Sequence, residues 1–273
     1  MHPTNLLLLA LVATSQSPSK PAQPSPPRER AVLLGVLGGD ESTPNGSLLR
    51  VDLRTNKVED VGPILGHKEL HLPSDGAPDP DGKHFWVAQT RFGGAPPAWR
   101  TWLQKVEIAT RKEQHWVQAQ GEVYLDGLVF DANGGLLAIN NARSPVELVR
   151  VDQTTGAVAH VGDVGQGNVR GMGFRGNELW AVFEKYVLPP LHQEELLKLS
   201  PTTGQVLARV ALPFGSAEHA MALAFSPTGR CILAVQGQQL VENRMCQVDL
   251  ATGAITTLDT AFLVPHGMGA AVR

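Results

Sequence analysis

The chain has 273 residues, of which 42% are hydrophobic and 18% charged, with 28 glycines, 20 prolines and a formal net charge of -3. So near-neutral a balance supplies no basic surface for nucleic acid or an anionic membrane. Past the N-terminus no apolar run approaches the roughly 18 residues a membrane-spanning helix needs, so the mature protein is expected to stay out of the bilayer.

The first segment reads as an export signal. Leu6–Ala13 is an unbroken apolar run, and Ala13, Thr14 and Ser15 put small residues where a signal peptidase cuts. Met1–Asn5 carries no Lys or Arg, so the alternative is a frayed apolar tail. No cysteine follows the run, which argues against a lipid anchor. Residues 16–30 (QSPSKPAQPSPPRER) are too rich in Pro and Ser to bury a core and read as an extended linker. The expected organisation is a signal peptide at 1–15, a linker at 16–30 and one domain at 31–273, exported to the periplasm or the extracellular space.

The domain opens on a lone apolar strand, Ala31–Val36, after which two phrases alternate. One is Leu48-Leu49-Arg50-Val51-Asp52-Leu53-Arg54-Thr55-Asn56-Lys57-Val58, a strand, a Thr-Gly-type turn and a second strand. It recurs around Glu107, Asp152, Ser200 and Asp249, so the five anchors are 55, 45, 48 and 49 residues apart. The other phrase covers Asp75–Ala88, Asp126–Ile139, Arg170–Val182 and Met221–Val235: a small-residue strand, a turn rich in Asp, Asn, Pro and Gly, then a fully apolar strand. Strand–turn–strand units at this period predict radially repeated sheets, a β-propeller. A last copy begins at His266-Gly267-Met268, but the chain reaches Arg273 before its apolar strand. Ala31–Val36 has the missing character, so it is expected to complete the last blade and remove two open sheet edges. The predicted fold is all-β: a single five-bladed propeller of four-stranded antiparallel blades, closed by the N-terminal strand.

Taking strands A and B from the second phrase and C and D from the first, the tight A–B and C–D turns share one face. The D–A and B–C connections share the other. The B–C connections at 38–47, 90–102, 140–147, 183–195 and 236–245 are long and unlike one another, and variable loops on a repeated scaffold are where binding is usually built. Strand A lines a propeller's channel, so the residues before its glycine ring the channel mouth. They are Asp75, Asp126, Arg170, Met221 and His266, with Glu218 and His219 just ahead of Met221. Carboxylates there suit a divalent cation or a proton-sharing acid/base pair, and Arg170 suits a ligand carboxylate or phosphate. The structural alternative is that these side chains bridge neighbouring blades through strand-end amides.

Trp99, Trp102 and Tyr186, in the long loops, offer an aromatic platform or a cap on the apolar end of a blade, whereas Trp86 and Trp180 read as core. His67 and His71 are four apart but lack a third ligand in a zinc-like spacing. His84, His115 and His160 fall in or beside strands and are expected to face solvent. Cys231 and Cys246 flank an apparent hairpin and are symmetric about Gln238. They form a disulfide if directly opposed and two buried thiols if not. The chain has no Gly-x-Ser-x-Gly elbow, no phosphate-cradling glycine loop and no cysteine with a partner base.

The alternation of Leu-x-x-Val-Asp-x-x-Thr-Gly-x-Val with Gly-Leu-x-Phe-x-x-x-Gly-x-Leu-x-Ala resembles the YVTN/lactonase-like and quinoprotein-amine-dehydrogenase-like propeller superfamily over residues 31–273. The resemblance implies the architecture and a frequent extracytoplasmic setting, and it leaves activity to the site. Secreted glutaminyl cyclotransferases are similar five-bladed propellers, but here Asp126-Gly127-Leu128 stands for their Gln-Gly-Leu and Arg170-Gly171-Met172 for their Glu-Gly-Leu. Regucalcin/gluconolactonase-like propellers place a Glu before Gly-Pro with Asn and Asp metal ligands, a set that Asp75, Asn140 and Asp126 echo without the Glu.

The expected function is a binding module, monomeric, taking a small ligand or a protein partner on its long-loop face. Asp75, Asp126, Arg170, Glu218, His219, His266, Trp99 and Tyr186 are the residues expected to bind. The competing expectation is a channel-mouth enzyme, either a metal-assisted lactonase-like hydrolase or a glutaminyl-cyclotransferase-like enzyme. There Asp126 would be the base and His266 or Asp75 its partner. No cofactor is expected in the first case, and a divalent cation is the candidate in the second.

Overall fold

The computed structural model describes residues 32–37, 46–66, 72–93, 98–186, 192–215, 218–237, 243–260 and 267–270. They form five four-stranded antiparallel sheets set around a channel. Blade 1 joins β20 (Gly267–Ala270) to β1 (Val32–Leu37), β2 (Ser47–Asp52) and β3 (Lys57–Pro63). Blade 2 is β4 (Leu72–Pro78), β5 (His84–Gly93), β6 (Ala98–Glu107) and β7 (Glu113–Gln118), and blade 3 is β8 (Leu125–Phe130), β9 (Leu136–Asn140), β10 (Val146–Val151) and β11 (Val158–Gly165). Blade 4 is β12 (Asn168–Arg175), β13 (Glu178–Tyr186), β14 (His192–Leu199) and β15 (Val206–Ala211), and blade 5 is β16 (His219–Phe225), β17 (Cys231–Gln236), β18 (Arg244–Val248) and β19 (Ile255–Thr260). The predicted seam is present: Leu33 pairs with Ala270, Leu34 with Gly269, Gly35 with Met268 and Val36 with Gly267. The signal-peptide and linker segments lie outside the described residues, and no helix among those described is long and apolar enough to cross a membrane.

Burial explains the strand types. The B strands are apolar on both faces because each is sandwiched between neighbouring blades, so all five residues of β9 are buried. Core clusters therefore form between blades: Trp86, Ala88 and Leu103 of blade 2 pack with Leu128, Leu136 and Val149 of blade 3. Trp86 and Trp180 are buried as expected. The D strands form the outer rim, and β15 is largely exposed.

The repeated C–D phrase spaces the blades. In the third copy Asp152 Oδ1 accepts from the amides of Thr154 and Thr155 at 2.9 and 2.7 Å, and the Gly156 amide donates to the Asp152 carbonyl at 2.9 Å. This closes a turn that leaves Gly156 at φ +69°, and Asn56, Arg111, Gly204 and Gly253 hold the same position at φ 55°, 59°, 69° and 74°. Each of these turns meets the D strand of the preceding blade. A Cβ on Gly156 would lie 2.0 Å from the Gln118 carbonyl oxygen, one on Gly253 2.2 Å from that of Ala211, and one on Gly204 2.8 Å from the Gly162 carbonyl carbon. Asn56 instead donates its side-chain amide to the Leu258 carbonyl at 3.4 Å, and the Arg111 side chain lies against Gly62. Glycine is required where the turn both turns left-handed and touches backbone.

One sequence expectation changes, and one alternative left open is decided. Segments 90–102 and 183–195 are mostly strand rather than loop: β5 and β6 are ten residues each and pair out to Gly93–Ala98, and β13 pairs with β14 out to Tyr186–His192. The β5–β6 hairpin also accounts for part of the 55-residue spacing from Asp52 to Glu107. The cysteines, in turn, are not directly opposed. Cys231 pairs with Val248 and Cys246 with Leu233, a two-residue offset, and both are free buried thiols. Burial pushes the Cys231 thiol up to about 12 and raises Cys246 as well. Reductant is accordingly expected to leave the melting temperature unchanged, and both thiols should react with a thiol reagent only after denaturation. A fall in melting temperature under reductant would instead reveal a bond.

Candidate functional site at the channel entrance

Strand A of each blade starts at the long-loop face, and there the ionisable side chains gather. Asp75 (β4) and Asp126 (β8) are buried, at 2% and 6% exposure. Asp75 is the blade bridge that the structural alternative described: its Oδ1 accepts from the Gly76 amide and its Oδ2 from the Leu128 amide of the next blade, both at 2.6 Å. Asp126 Oδ2 is reached by Asn141 Nδ2 at 3.4 Å, and Tyr124 hydrogen-bonds to the same carboxyl group. Asp126 Oδ1 is buried with no hydrogen-bond partner.

Arg170 (β12) faces Asp126 and is held by a residue that the ring argument omits. Its Nε and Nη2 donate to Glu184 Oε2 at 3.1 and 2.7 Å, and Nη1 lies 3.9 Å from Met221 Sδ. Glu194 completes the group. Its Oε2 accepts from the Ala220 amide at 2.9 Å, while its Oε1 is buried without a hydrogen bond. His219 Nδ1 stands 3.7 Å from Glu184 Oε1 and 3.6 Å from Glu194 Oε1. Glu218 turns aside to Arg244 at 2.5 Å. Glu184 lies near the end of strand B and Glu194 near the start of strand C, so neither belongs to a strand-A ring. Their signal in the sequence is a carboxylate closing an otherwise apolar run, Leu179-Trp180-Ala181-Val182-Phe183-Glu184.

The aromatic residues partly join this group. Trp99 is half-buried between Phe92 (centroids 4.9 Å apart) and Tyr124 (4.8 Å, planes at 18°). An aromatic stack thus leads from exposed Phe92 to the tyrosine on Asp126. Trp102 stacks on Trp116 within blade 2 instead. Tyr186 ends β13 opposite His192, its side chain outside the described residues, as are His67, His71 and His266. His160 faces solvent as expected beside Asp163, while His115 is half-buried, its ring edge-on to Trp86 at 6.0 Å. On the flank of blade 3, ligand atoms of Glu147, His160 and Asp163 lie within 4.8 Å of one another. The opposite end of the channel is apolar: a cavity of about 270 Å³ is lined there by Ala77, Leu128, Phe130, Met172, Phe225 and Met268.

Burial among carboxylates controls protonation at the entrance. Asp75 is raised well above the usual carboxylate range by burial and by the Asp126 charge. Asp126 is raised by burial against the pull of Arg170, and burial lifts Glu194 to about 8. The Asp126 charge and burial together raise Tyr124. The surface turns behave oppositely. Backbone amides hold Asp52 and Asp152 low, and the amides of Lys83 and His84 with the His84 ring bring Asp81 down to about 2 despite some burial.

A group raised in the folded state stabilises fully below its unfolded pKa and loses that contribution as pH climbs through its folded pKa; depressed groups do the reverse. Stability is therefore expected to decline from about pH 5 to pH 8 as Glu194 and its neighbours ionise, and to decline again in acid below about pH 4 as Asp81, Asp52 and Asp152 protonate. Melting curves from pH 5 to 8 for the wild type and Glu194→Gln check this. The variant should show a shallower slope, and an unchanged slope would refute the assignment.

No family model matches the chain, and no curated protein is similar to it in sequence. Solved structures are similar in fold. A protein of unknown function from Bacteroides caccae aligns over 90% of this chain and 100% of its own, at 9% identity and TM-score 0.53. The periplasmic gluconolactonase of Pseudomonas aeruginosa aligns over 89% of this chain and 99% of its own, at 13% identity and TM-score 0.47. Hydrazine synthase of Kuenenia stuttgartiensis aligns over 78% of this chain, which spans 59% of that protein's length, at 14% identity and TM-score 0.46. Likeness at identities this low bears on the fold alone, and the chemistry has to be argued from the entrance itself.

Proposed function

We propose that this protein is an exported binding module that seats a small ligand at the channel entrance of its long-loop face. One observation carries the reading: Asp126 Oδ1 and Glu194 Oε1 are buried acceptors that take no hydrogen bond, on adjacent blades beside Arg170, the His219 ring standing 3.6 Å from the second. Leaving such groups unsatisfied costs about 1–3 kcal/mol each, a cost that a donor-bearing ligand offsets. The extended β5–β6 and β13–β14 hairpins flank blade 3, and with it Asp126. Export rests on the Leu6–Ala13 run and is checked by fusing residues 1–31 to a reporter active only outside the cytoplasm.

The test is a thermal-shift screen of the full chain against common metabolites, repeated on Asp126→Asn and Glu194→Gln. Hits should raise the melting temperature of the wild type and lose at least half that shift in the variants. Hits that persist unchanged in both variants would place the ligand elsewhere. A second reading, acid–base catalysis at the same entrance, draws on the Asp75–Asp126 pair, whose mutual repulsion favours a shared proton. It requires turnover of a lactone or of an N-terminal glutaminyl peptide that disappears in Asp126→Asn.

A further inference from the structure

Resting on that reading of the entrance, we propose that its occupant is an organic ammonium ion, a primary amine attached to an apolar or aromatic body. Asp126, Glu184 and Glu194 are buried around the Arg170 guanidinium, with Asp75 beside Asp126 and the His219 ring against Glu184 and Glu194, so four acids face one guanidinium and one imidazole, and Glu218 is matched by Arg244. An anion placed there meets an excess of carboxyl groups. Arg170 itself already gives two of its nitrogens to Glu184 and does not stand open for a ligand carboxylate. The oxygens that take no hydrogen bond, Asp126 Oδ1 and Glu194 Oε1, suit N–H or O–H donors, and the surplus of acid groups favours a donor that carries positive charge.

A bare divalent ion fits this arrangement poorly. Calcium takes about six to eight oxygens at roughly 2.3–2.6 Å. Here both oxygens of Asp75 are held by backbone amides, Glu184 Oε2 by Arg170, and Glu194 Oε2 by the Ala220 amide. An ammonium group needs only a few acceptors, and its organic body has a wall to lie on. Tyr124, bonded to Asp126, stacks on Trp99, and Trp99 on Phe92. Aromatic faces beside a carboxylate are a recurrent setting for organic cations.

The entrance also couples the amine to protons. Asp126 is faced by Tyr124 ahead of its own strand, by Asp75 of β4, by Asn141 after β9 and by Arg170 of β12. Glu194 is faced by Arg170 of β12, Glu184 of β13, and Glu218 and His219 at the start of β16. Because burial keeps acid protons on these carboxyls near neutrality, an arriving ammonium ion displaces them to solvent. Binding therefore tightens from pH 6 to pH 8.

Isothermal titration of the full chain with 2-phenylethylammonium, 2-phenylethanol, phenylacetate and calcium chloride, each alone, tests this. The amine should bind at least about tenfold more tightly than the alcohol or the acid. It should release protons, seen as a binding heat that depends on the buffer's ionisation enthalpy. Trp99→Ala should weaken 2-phenylethylammonium but not methylammonium, and Asp126→Asn should abolish binding of both. The wild-type proton release decides the matter even if Asp126→Asn fails to fold. Equal or tighter binding of the alcohol, acid or calcium overturns the proposed ligand class, and if Asp126→Asn blocks that binding the entrance survives as a site. Binding by none of the four probes also overturns it, leaving the metabolite screen to judge the entrance.

Discussion

Replacing Gly162 by valine is expected to cost at least about 3 kcal/mol and to lower the melting temperature by roughly 10 °C. Gly162 lies in β11 with no unusual backbone angle, so its reason for being glycine is space alone. A Cβ there would sit 1.8 Å from the Thr203 carbonyl oxygen and 2.6 Å from its carbon. Those atoms belong to the C–D turn of the next blade, which is fastened by the Gly204 amide to the Ser200 carbonyl at 2.9 Å. A side chain can rotate away from such a clash, but backbone on both sides cannot, so blades 3 and 4 would have to part. Gly121→Ala is the control. Nothing lies within 4 Å of its Cβ, although φ is +88°, and its cost should stay near 1 kcal/mol. Comparable melting temperatures for the two variants would disprove the inter-blade contact.

Deleting residues 267–273 is expected to lower the melting temperature by more than about 10 °C and to produce oligomers on size-exclusion chromatography. The deletion removes β20, the inner strand of blade 1, together with Met268, which is 3% exposed and packs with Leu33, Val51, Ala222 and Ala224. It also bares the hydrogen-bonding edge of β1, in which Leu33, Leu34 and Val36 are all buried. An unpaired apolar edge invites pairing with another chain. Adding the β20 sequence back as a separate peptide should suppress the oligomers, and a deletion variant that melts like the full chain would show that the seam carries no stability.

The fold was largely legible because its determinants are local and repeated. Asp152 capping its own turn and Gly156 adopting positive φ are set within five residues, and the same pattern appears in five places. Counting those copies against the chain ends was enough to place the seam at Ala31–Val36. The hairpins escaped because 90–102 and 183–195 carry prolines and glycines that usually mark loops, whereas strand pairing runs on to Gly93–Ala98 and Tyr186–His192. The cysteine pairing stayed open in the sequence because a one-residue error at each strand end is invisible to symmetry about a turn.

The candidate site was only half legible. Asp75, Asp126, Arg170 and His219 follow from where strand A begins. Glu184 and Glu194 enter from strands B and C of a different sheet position, and only packing reveals that they meet Arg170. Which acceptors take no hydrogen bond is likewise a property of three dimensions, since Asp75 and Asp126 look alike in sequence yet only Asp75 has both oxygens held by backbone amides at 2.6 Å.

The seam has a consequence for how the molecule comes into being. β1 and β20 neighbour each other in one sheet although nearly the whole domain separates them in sequence. During synthesis or threading from the N-terminus, β1 emerges first and must wait for β20, holding an unsatisfied edge throughout. Closing a loop that long carries the largest entropic cost in the fold, and contacts of this range slow folding. The ring thus has a last step that no partial chain can take. A holding factor acting on nascent or translocating chains would find its substrate in that waiting strand.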